Sequence, residues 1–262
     1  MDYGMPFLLE TPSPEDAARL CAELGLRFVE LNASFPPCQP DLLSATRLRR
    51  MMEENSIYFT LHVHEALDPF CDCVRVREAW LQELSACLDL ALSLDMPVVN
   101  MHLDKGVYVT LPDQKVFIHK AYEDDYLRCA DALMELAQRM LTGTGTRLCI
   151  ENTNGFQPHE TRVLEKLLQS TCIGLTLDIG HSHAVQDMDL PFYREHAGRL
   201  LHMHGHDARG KSNHLALGDG EIDLNARFAW ARERGARVVL ETKTVAALKQ
   251  SVRWLSSHPS LL

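Results

Sequence analysis

Six side chains that can bind a metal or transfer a proton stand at the ends of six consecutive short apolar runs. In chain order they are His62, His102, Glu151, Asp178, His204 and Glu241. Carboxylates that converge on one point raise each other's pKa unless a cation lies between them. Imidazoles and carboxylates around a cation form a coherent site for Zn²⁺, Mn²⁺ or Fe²⁺. A lone histidine at a strand end is more often structural, but the joint pattern predicts a divalent metal centre.

Two further histidines are predicted as metal ligands because they follow this set closely. His181 comes three residues after Asp178, and His214 precedes the segment Leu217-Gly218-Asp219-Gly220-Glu221. Histidine favours zinc, and its combination with carboxylates also suits manganese. We expect two zinc or manganese ions, and a third that would be weakly held.

The depth of two histidine groups remains open, since side chains of a strand alternate between its faces with a period of two residues. His62 and His64 therefore share one face. The same holds for His202, His204 and His206. The other histidines carry no comparable argument and are interpreted as structural or solvated.

The elements that must position these residues read as eight strands alternating with eight helices. The predicted strands are Met5–Glu10, Arg27–Asn32, Tyr58–His62, Pro97–His102, Arg147–Glu151, Ile173–Asp178, Leu200–His204 and Arg237–Glu241. The predicted helices are Pro14–Leu24, Asp41–Glu54, Val74–Leu94, Ala121–Leu141, Glu160–Ser170, Pro191–Arg199, Leu224–Arg234 and Val245–Ser256. Continuous apolar runs are typical of strands that are buried on both faces.

Eight such repeats predict an α/β fold, a single (β/α)8 TIM barrel over residues 1–262 with its active site at the carboxyl ends of the strands. A doubly wound open sheet is the alternative, but no glycine-rich dinucleotide fingerprint follows the first strand. Two long loops, Asp104–His119 and His206–Asp223, follow the fourth and seventh strands. Barrel active sites are built from such loops.

Composition and charge limit the classes of function. The 262 residues are 46% hydrophobic and 24% charged, as in an ordinary globular protein. No run approaches the roughly 18 apolar residues of a membrane span, and no signal peptide is visible, so we expect a cytoplasmic protein. Eight scattered cysteines without a CxxC pair indicate reduced thiols.

The net charge of −10 opposes nucleic-acid binding, which needs a basic face. A small-molecule substrate is the expected partner. No visible pattern encodes the oligomeric state.

The motifs around the six side chains resemble those of the xylose isomerase-like barrel superfamily, also called the AP endonuclease family 2 fold. The segments that carry the resemblance are Glu151-Asn152-Thr153-Asn154-Gly155, Asp178-Ile179-Gly180-His181, His204-Gly205-His206-Asp207, Leu217-Gly218-Asp219-Gly220-Glu221-Ile222-Asp223 and Leu240-Glu241-Thr242. They are specific for the superfamily and not for one reaction.

The resemblance implies one of two chemistries. Sugar isomerases and epimerases of the superfamily use one metal, and their ligand positions match Glu151, Asp178, His204 and Glu241. Endonuclease IV-type phosphodiesterases also use histidines of the third and fourth strands, which match His62 and His102, with Glu151 bridging two metals. Their third metal would lie at His181 and His214, where Ser212 replaces an aspartate.

The leading prediction is two-metal hydrolysis of a small phosphoester or phosphodiester. A water between the metals would be the nucleophile, and Glu241 would orient or deprotonate it. Arg209 and Lys243 are candidate phosphate contacts, together with His181 and His214, and His206 is a further candidate substrate contact. The ordinary interpretation of Arg209 and Lys243 is a solvated loop end.

The alternative is sugar or sugar-phosphate isomerisation or epimerisation around one metal. Glu151 and Glu241 would then be acid and base. His62 and His102 would bind hydroxyl groups, and Trp80 or Phe156 could form an apolar wall. A binding protein with a degenerate site is a third possibility, which the full set of six ligands opposes.

Overall fold

The computed structural model describes residues 1–103 and 105–261. Its strands are β1 Tyr3–Pro6, β2 Phe28–Asn32, β3 Tyr58–His62, β4 Val98–His102, β5 Tyr108–Thr110, β6 Lys115–Phe117, β7 Arg147–Glu151, β8 Ile173–Asp178, β9 Leu200–Gly205, β10 Asp207–Arg209, β11 Ser212–Leu215 and β12 Arg237–Leu240. Eight of them form a closed parallel barrel in the order β1-β2-β3-β4-β7-β8-β9-β12. The predicted TIM barrel is confirmed.

Helices connect the barrel strands along the outside. They are α1 Pro14–Glu23, α2 Ala45–Asn55, α3 Val74–Ser93, α4 Ile118–Ala121, α5 Glu123–Leu141, α6 Pro158–Leu167, α7 Ile179–Ala184, α8 Leu190–Glu195, α9 Leu224–Arg234 and α10 Val245–Ser256. Caps in the sequence set their starts; for example, the Ser13 hydroxyl accepts a hydrogen bond from the Asp16 N–H at 3.2 Å. Within the described residues no helix is long and apolar enough to cross a membrane.

The strand register brings the polar strand ends to one rim. His102 is paired with Glu151 across β4 and β7, and Asp178 is paired with His204 across β8 and β9. Apolar residues of the same strands are buried on both faces, as in β8, where all six residues are buried. The strands therefore anchor the reactive side chains on a packed core.

Two parts of the structure differ from the prediction. The first strand is Tyr3–Pro6 and not Met5–Glu10, because the chain turns where the Thr11 hydroxyl donates to Leu8 O at 2.7 Å and accepts from Leu8 N at 3.1 Å. The two long loops contain the short antiparallel hairpins β5–β6 and β10–β11. Asp104, which opens the first of these loops, lies outside the described residues.

Candidate metal centre

The carboxyl ends of the barrel strands surround a cavity of about 410 Å³. The polar residues of its lining include His62, His102, His181, His204, His214 and Glu241, and we call this part the polar side. The apolar part of the lining includes Phe7, Leu8 and Phe35, of which the first two follow β1. A concave site with an apolar wall and a few convergent polar groups is typical of small-molecule binding.

Four side chains from β7, β8, β9 and the end of β12 converge at the polar side. Glu151, Asp178, His204 and Glu241 each offer one ligand atom, and these atoms all lie within 4.8 Å of one another. His204 Nδ1 is 3.2 Å from Glu151 Oε1 and 3.1 Å from Glu241 Oε2.

The same atoms show that the set fits a metal ion. Glu151 Oε1, Glu241 Oε2 and His204 Nδ1 are buried and have no hydrogen-bond partner among the described residues. A buried polar atom without a partner is costly. Nitrogen and oxygen ligands bind zinc at about 2.0–2.2 Å, so one ion could satisfy all three atoms.

Electrostatics keep the carboxylates of this set ionised. Burial raises the pKa of Glu151, but the imidazoles of His204 and His102 lower it more, and the net pKa lies well below the usual value. Burial likewise raises the pKa of Glu241, and His204 and Lys243 outweigh it. Ionised carboxylates can bind a cation or accept a proton.

A second donor set adjoins the first. His62, Glu65 and His102 also place one ligand atom each within 4.8 Å of one another. His102 Nδ1 lies 3.2 Å from Glu65 Oε2, and His102 Nε2 lies 3.6 Å from Glu151 Oε1. His62 Nε2 lies 3.4 Å from Glu151 Oε2. Glu151 is therefore between the two sets, as a bridging ligand would be.

The sequence analysis did not predict Glu65 as a site residue. It comes three residues after His62, beyond the end of β3, where no strand periodicity places its side chain. Its carboxylate also accepts a hydrogen bond from Asn32 Nδ2 at 2.8 Å. The run His62-Val63-His64-Glu65 was the available signal, because it contains three potential ligands within four residues.

His181 and His214 line the cavity beside the first set. Their ring centroids are 5.8 Å apart. His181 Nδ1 lies 3.1 Å from Asn152 O, and His214 Nδ1 lies 3.3 Å from Glu241 O. Among the described residues no third donor completes a set that holds both rings. His214 instead shares a three-donor set with His206 and Glu241, which does not include His181.

Lys243 and Arg209 have different surroundings. Lys243 lines the cavity, with Nζ 2.8 Å from Glu241 Oε1. Arg209 is exposed on β10 and donates from Nη2 to Asp219 O at 3.1 Å. It is not among the residues that line the cavity. Of the predicted phosphate contacts, Lys243, His181 and His214 line the cavity, and Arg209 does not.

His206 lies behind the metal set and not on the cavity, in contrast to its predicted role as a substrate contact. The ring is fully buried, and its Nε2 is 3.1 Å from both carboxylate oxygens of Asp178. Its Nδ1 accepts from the His214 N–H at 2.9 Å. A Cβ at Gly180 would lie 1.9 Å from the His206 ring, so only glycine fits there. His206 is placed to orient Asp178 and does not line the cavity.

The structure settles the depth of the other histidines. His62 is buried inside the barrel, whereas His64 lies outside the cavity, with its ring centroid 6.1 Å from that of Trp80. His202 is one layer deeper than His204 and contacts Glu30. Neither Trp80 nor Phe156 lines the cavity, so the predicted apolar wall is formed by other residues.

Two asparagines that the metal pattern could not identify hold the ligand residues in place, Asn152 through the backbone of Asp178 and Asn100 through the carboxylate of Glu151. Asn152 Oδ1 accepts from the Asp178 N–H at 2.8 Å, and its Nδ2 donates to Asp178 O at 3.0 Å. Asn100 Nδ2 donates to Glu151 Oε2. Each asparagine contacts a residue of the neighbouring barrel strand, β4 to β7 or the end of β7 to β8. These contacts therefore depend on the pairing of the barrel strands.

Comparisons with known proteins give a family and a fold. The sequence model described as "Xylose isomerase-like TIM barrel" matches residues 18–258. A D-tagatose 3-epimerase-like protein is 20% identical, with a TM-score of 0.78 over 100% of this chain and 98% of that one. The 3-keto-D-glucoside 4-epimerase YcjR from E. coli is 16% identical, with a TM-score of 0.75 over 98% and 99%.

A third similar structure holds a metal. The IOLI protein with a bound zinc atom is 16% identical, with a TM-score of 0.74 over 100% of this chain and 98% of that one. No curated protein matches the sequence. At these identities the similarity between the structures shows a shared fold.

Proposed function

We propose, from the premise that the chain belongs to the xylose isomerase-like TIM barrel family, that it is a metal-dependent isomerase or epimerase of a small sugar or sugar phosphate. The observation that carries the proposal is the set of four donor atoms within 4.8 Å, three of them buried without a hydrogen-bond partner. Carboxylates make up three of the four ligands, so the site combines metal binding with proton transfer. Similar folds in an epimerase and an epimerase-like protein support this choice over hydrolysis.

Glu151, Asp178, His204 and Glu241 would hold one zinc or manganese ion. Such an ion would act as a Lewis acid that polarises the carbonyl and hydroxyl oxygens of a bound hydroxy-ketone. His206 and Asn152 hold Asp178 from behind, which fixes that ligand before metal arrives.

Glu241 is the proposed base, because it lines the cavity and its side chain is 16% exposed. Its lowered pKa keeps it ionised, so it can accept a proton from the carbon next to the substrate carbonyl. Glu151 is the proposed partner on the other side of the substrate: because it is ionised at rest, it would take up a proton from solvent and deliver it to the substrate carbon, while Glu241 releases the proton it has accepted to solvent. The two residues belong to strands separated by β8 and β9, so they approach the site from different parts of the rim. No atom is gained or lost overall, and the product is an isomer.

The cavity suits a small polyhydroxylated molecule. His62, His102 and Lys243 provide polar contacts for hydroxyl groups. Phe7 and Phe35 can pack against the C–H groups of the substrate. Lys243 is the single lysine or arginine among the described residues that line the cavity, so a phosphate would meet one cation there.

Hydrogen exchange with solvent tests the proposal. Protein loaded with excess zinc or manganese is incubated in D₂O with a panel of ketoses and ketose phosphates, and deuterium at the carbon next to the carbonyl is measured by NMR. We expect incorporation with one substrate class and its loss, by about 10²-fold or more, in Glu241→Gln. Glu160→Gln is the matched control, since Glu160 is a buried glutamate that caps α6 away from the site. Absence of exchange on the whole panel, with metal bound, would contradict the proposal.

Two-metal phosphoester hydrolysis is the second candidate, favoured by the donor set of His62, Glu65 and His102 beside Glu151. It requires two metal ions per chain, which elemental analysis of the protein measures directly. Under this reading His102→Ala would lose one ion and phosphodiesterase activity together. Under the isomerase reading the same variant keeps one ion per chain and is impaired in substrate binding.

A further inference from the structure

We infer that Glu30 and His202 form a positioning pair that fixes the ring of His204 for metal binding. The inference rests on the proposed function, because it takes His204 as a metal ligand. Neither residue belongs to the predicted metal set, and neither contacts a substrate in the role assigned here. Their effect on the reaction passes through His204.

Glu30 is buried in the barrel, and both of its oxygens face imidazoles of β9. Its Oε1 lies 2.8 Å from His204 Nε2. Its Oε2 accepts from His202 Nε2 at 2.8 Å and from the Thr60 hydroxyl at 3.2 Å. β1 and β12 separate β2 from β9 in the barrel, so these contacts cross the barrel interior.

The contacts on the two ring nitrogens of His204 assign its tautomer. Nδ1 faces Glu151 and Glu241 and must be unprotonated to bind a metal. The ring proton must then be on Nε2, which faces Glu30. A metal-binding histidine commonly gives its other N–H to a carboxylate, which fixes the tautomer and the ring orientation and makes the ligand more basic.

His202 lies one layer deeper in the barrel than His204 and holds the Glu30 carboxylate. Its hydrogen bond occupies Glu30 Oε2, and Thr60 contacts the same oxygen, so Oε1 is left for His204. Both separations are 2.8 Å, but only the His202 contact has the geometry of a hydrogen bond; His204 Nε2 is buried beside Glu30 Oε1 without a hydrogen-bond partner among the described residues. His202 is fully buried, which separates it from the cavity. Burial raises the pKa of Glu30, but the two imidazoles lower it more, consistent with an ionised acceptor.

Metal affinity tests the inference without relying on turnover. Metal-free wild type, Glu30→Ala and Glu30→Gln are titrated with zinc against a chromophoric chelator. We expect Glu30→Ala to weaken zinc binding by about 10–100-fold. Glu30→Gln should recover part of that loss, because its amide oxygen can still face His204 Nε2. Glu160→Gln, a buried glutamate outside the barrel centre, should bind zinc like the wild type.

The ring proton of His204 gives a second measurement, which general destabilisation does not shift. Long-range ¹H–¹⁵N NMR of the zinc-loaded protein, assigned with His204→Gln, should show a protonated Nε2 in the wild type, and its proton signal should move upfield in Glu30→Ala, which lacks the carboxylate acceptor. If Glu30→Ala were to unfold, Glu30→Gln would carry both measurements. Equal zinc affinity in the wild type and both folded variants would overturn this inference alone. A wild type that binds no zinc would overturn the proposed function as well.

Discussion

Glu151 has imidazole nitrogens on several sides within a narrow range of distances. His204 lies nearest at 3.2 Å, followed by His62 at 3.4 Å and His102 at 3.6 Å. His181 Nδ1 is 3.8 Å away. A carboxylate in this position can serve the first donor set alone or join both sets. Glu151 holds the same position whether one metal ion or two are bound. The number of metal ions therefore decides which chemistry Glu151 performs.

His214 offers a pH-dependent test at the scale of one residue. Burial lowers its pKa to about 4 despite the opposing charge of Glu241. The unfolded chain has a histidine pKa of about 6.5. Between these values the unfolded state holds a proton that the folded state lacks, so stability must fall as the pH falls through this window. Above about pH 6.5 this residue adds no pH dependence.

Urea unfolding of metal-free wild type and His214→Gln from pH 4 to pH 7.5 measures the effect. We expect the free energy of unfolding of the wild type to decrease more than that of the variant between about pH 6.5 and pH 4. Parallel profiles for the two proteins would show that His214 titrates as it does in the unfolded chain.

At the scale of elements, Asp207 fastens the loop that carries His214. Its Oδ1 accepts from the N–H groups of Ala208 and Ile222 at 2.9 and 3.1 Å, and its Oδ2 accepts from Gly218 at 3.0 Å. The carboxylate of Asp207 is buried, and of the three donors Ala208 is buried as well. The carboxylate holds the β10–β11 hairpin against the start of α9.

Asp207→Ala should therefore cost roughly 2 kcal/mol of the free energy of unfolding, because it removes the acceptor of three N–H groups, of which that of Ala208 is buried. Urea unfolding with both metal-free proteins measures the loss. Asp219→Ala is the control, since Asp219 is exposed in the same loop, and it should change stability by no more than about 0.5 kcal/mol. Similar losses in the two variants would mean that the loop does not depend on Asp207.

The elements predicted best are those that a continuous stretch of sequence defines by itself. Seven barrel strands are found within one residue of their predicted ends, because continuous apolar runs and their terminal polar residues define them. The first strand was displaced, since Phe7 and Leu8 are apolar but belong to the cavity wall. The hairpins β5–β6 and β10–β11 are short and partly exposed, so no apolar pattern marks them.

The site was predictable to the extent that strand ends meet at one rim. His62, His102, Glu151, Asp178, His204 and Glu241 lie together there. Contacts across the barrel were not predictable, because they depend on closure and on register. Glu30 is separated from His202 by 172 positions and contacts it only inside the closed barrel. His206 could not be distinguished from a substrate contact without the depth of β9.

At the scale of the whole molecule, the proposed metal would connect β7, β8, β9 and the end of β12 at one point. A ligand that binds only the folded state stabilises it by about 2.7 kcal/mol at 100 times its Kd. Removing the metal with a chelator should then lower the Tm by roughly 5–10 °C for a chain of this size. Calorimetry with and without zinc measures the shift.

Asp178→Ala should abolish most of that shift, because it removes a ligand of the first set. His64→Ala should retain it, since His64 lies beside Trp80 and outside the cavity. A zinc-dependent Tm in Asp178→Ala equal to that of the wild type would place the ion elsewhere in the molecule.

The close approach of Gly180 to His206 has a consequence for how this barrel can evolve. Any side chain at position 180 collides with the imidazole that supports Asp178, so a first substitution there is harmful by itself. A smaller residue at position 206 would make room for a side chain at position 180. It would also remove the hydrogen bond between the His206 ring and the Asp178 carboxylate. The two positions are therefore epistatic, and each single step from the present pair lowers fitness. A library that randomises both codons under selection for activity should return glycine and histidine together, with mixed pairs depleted.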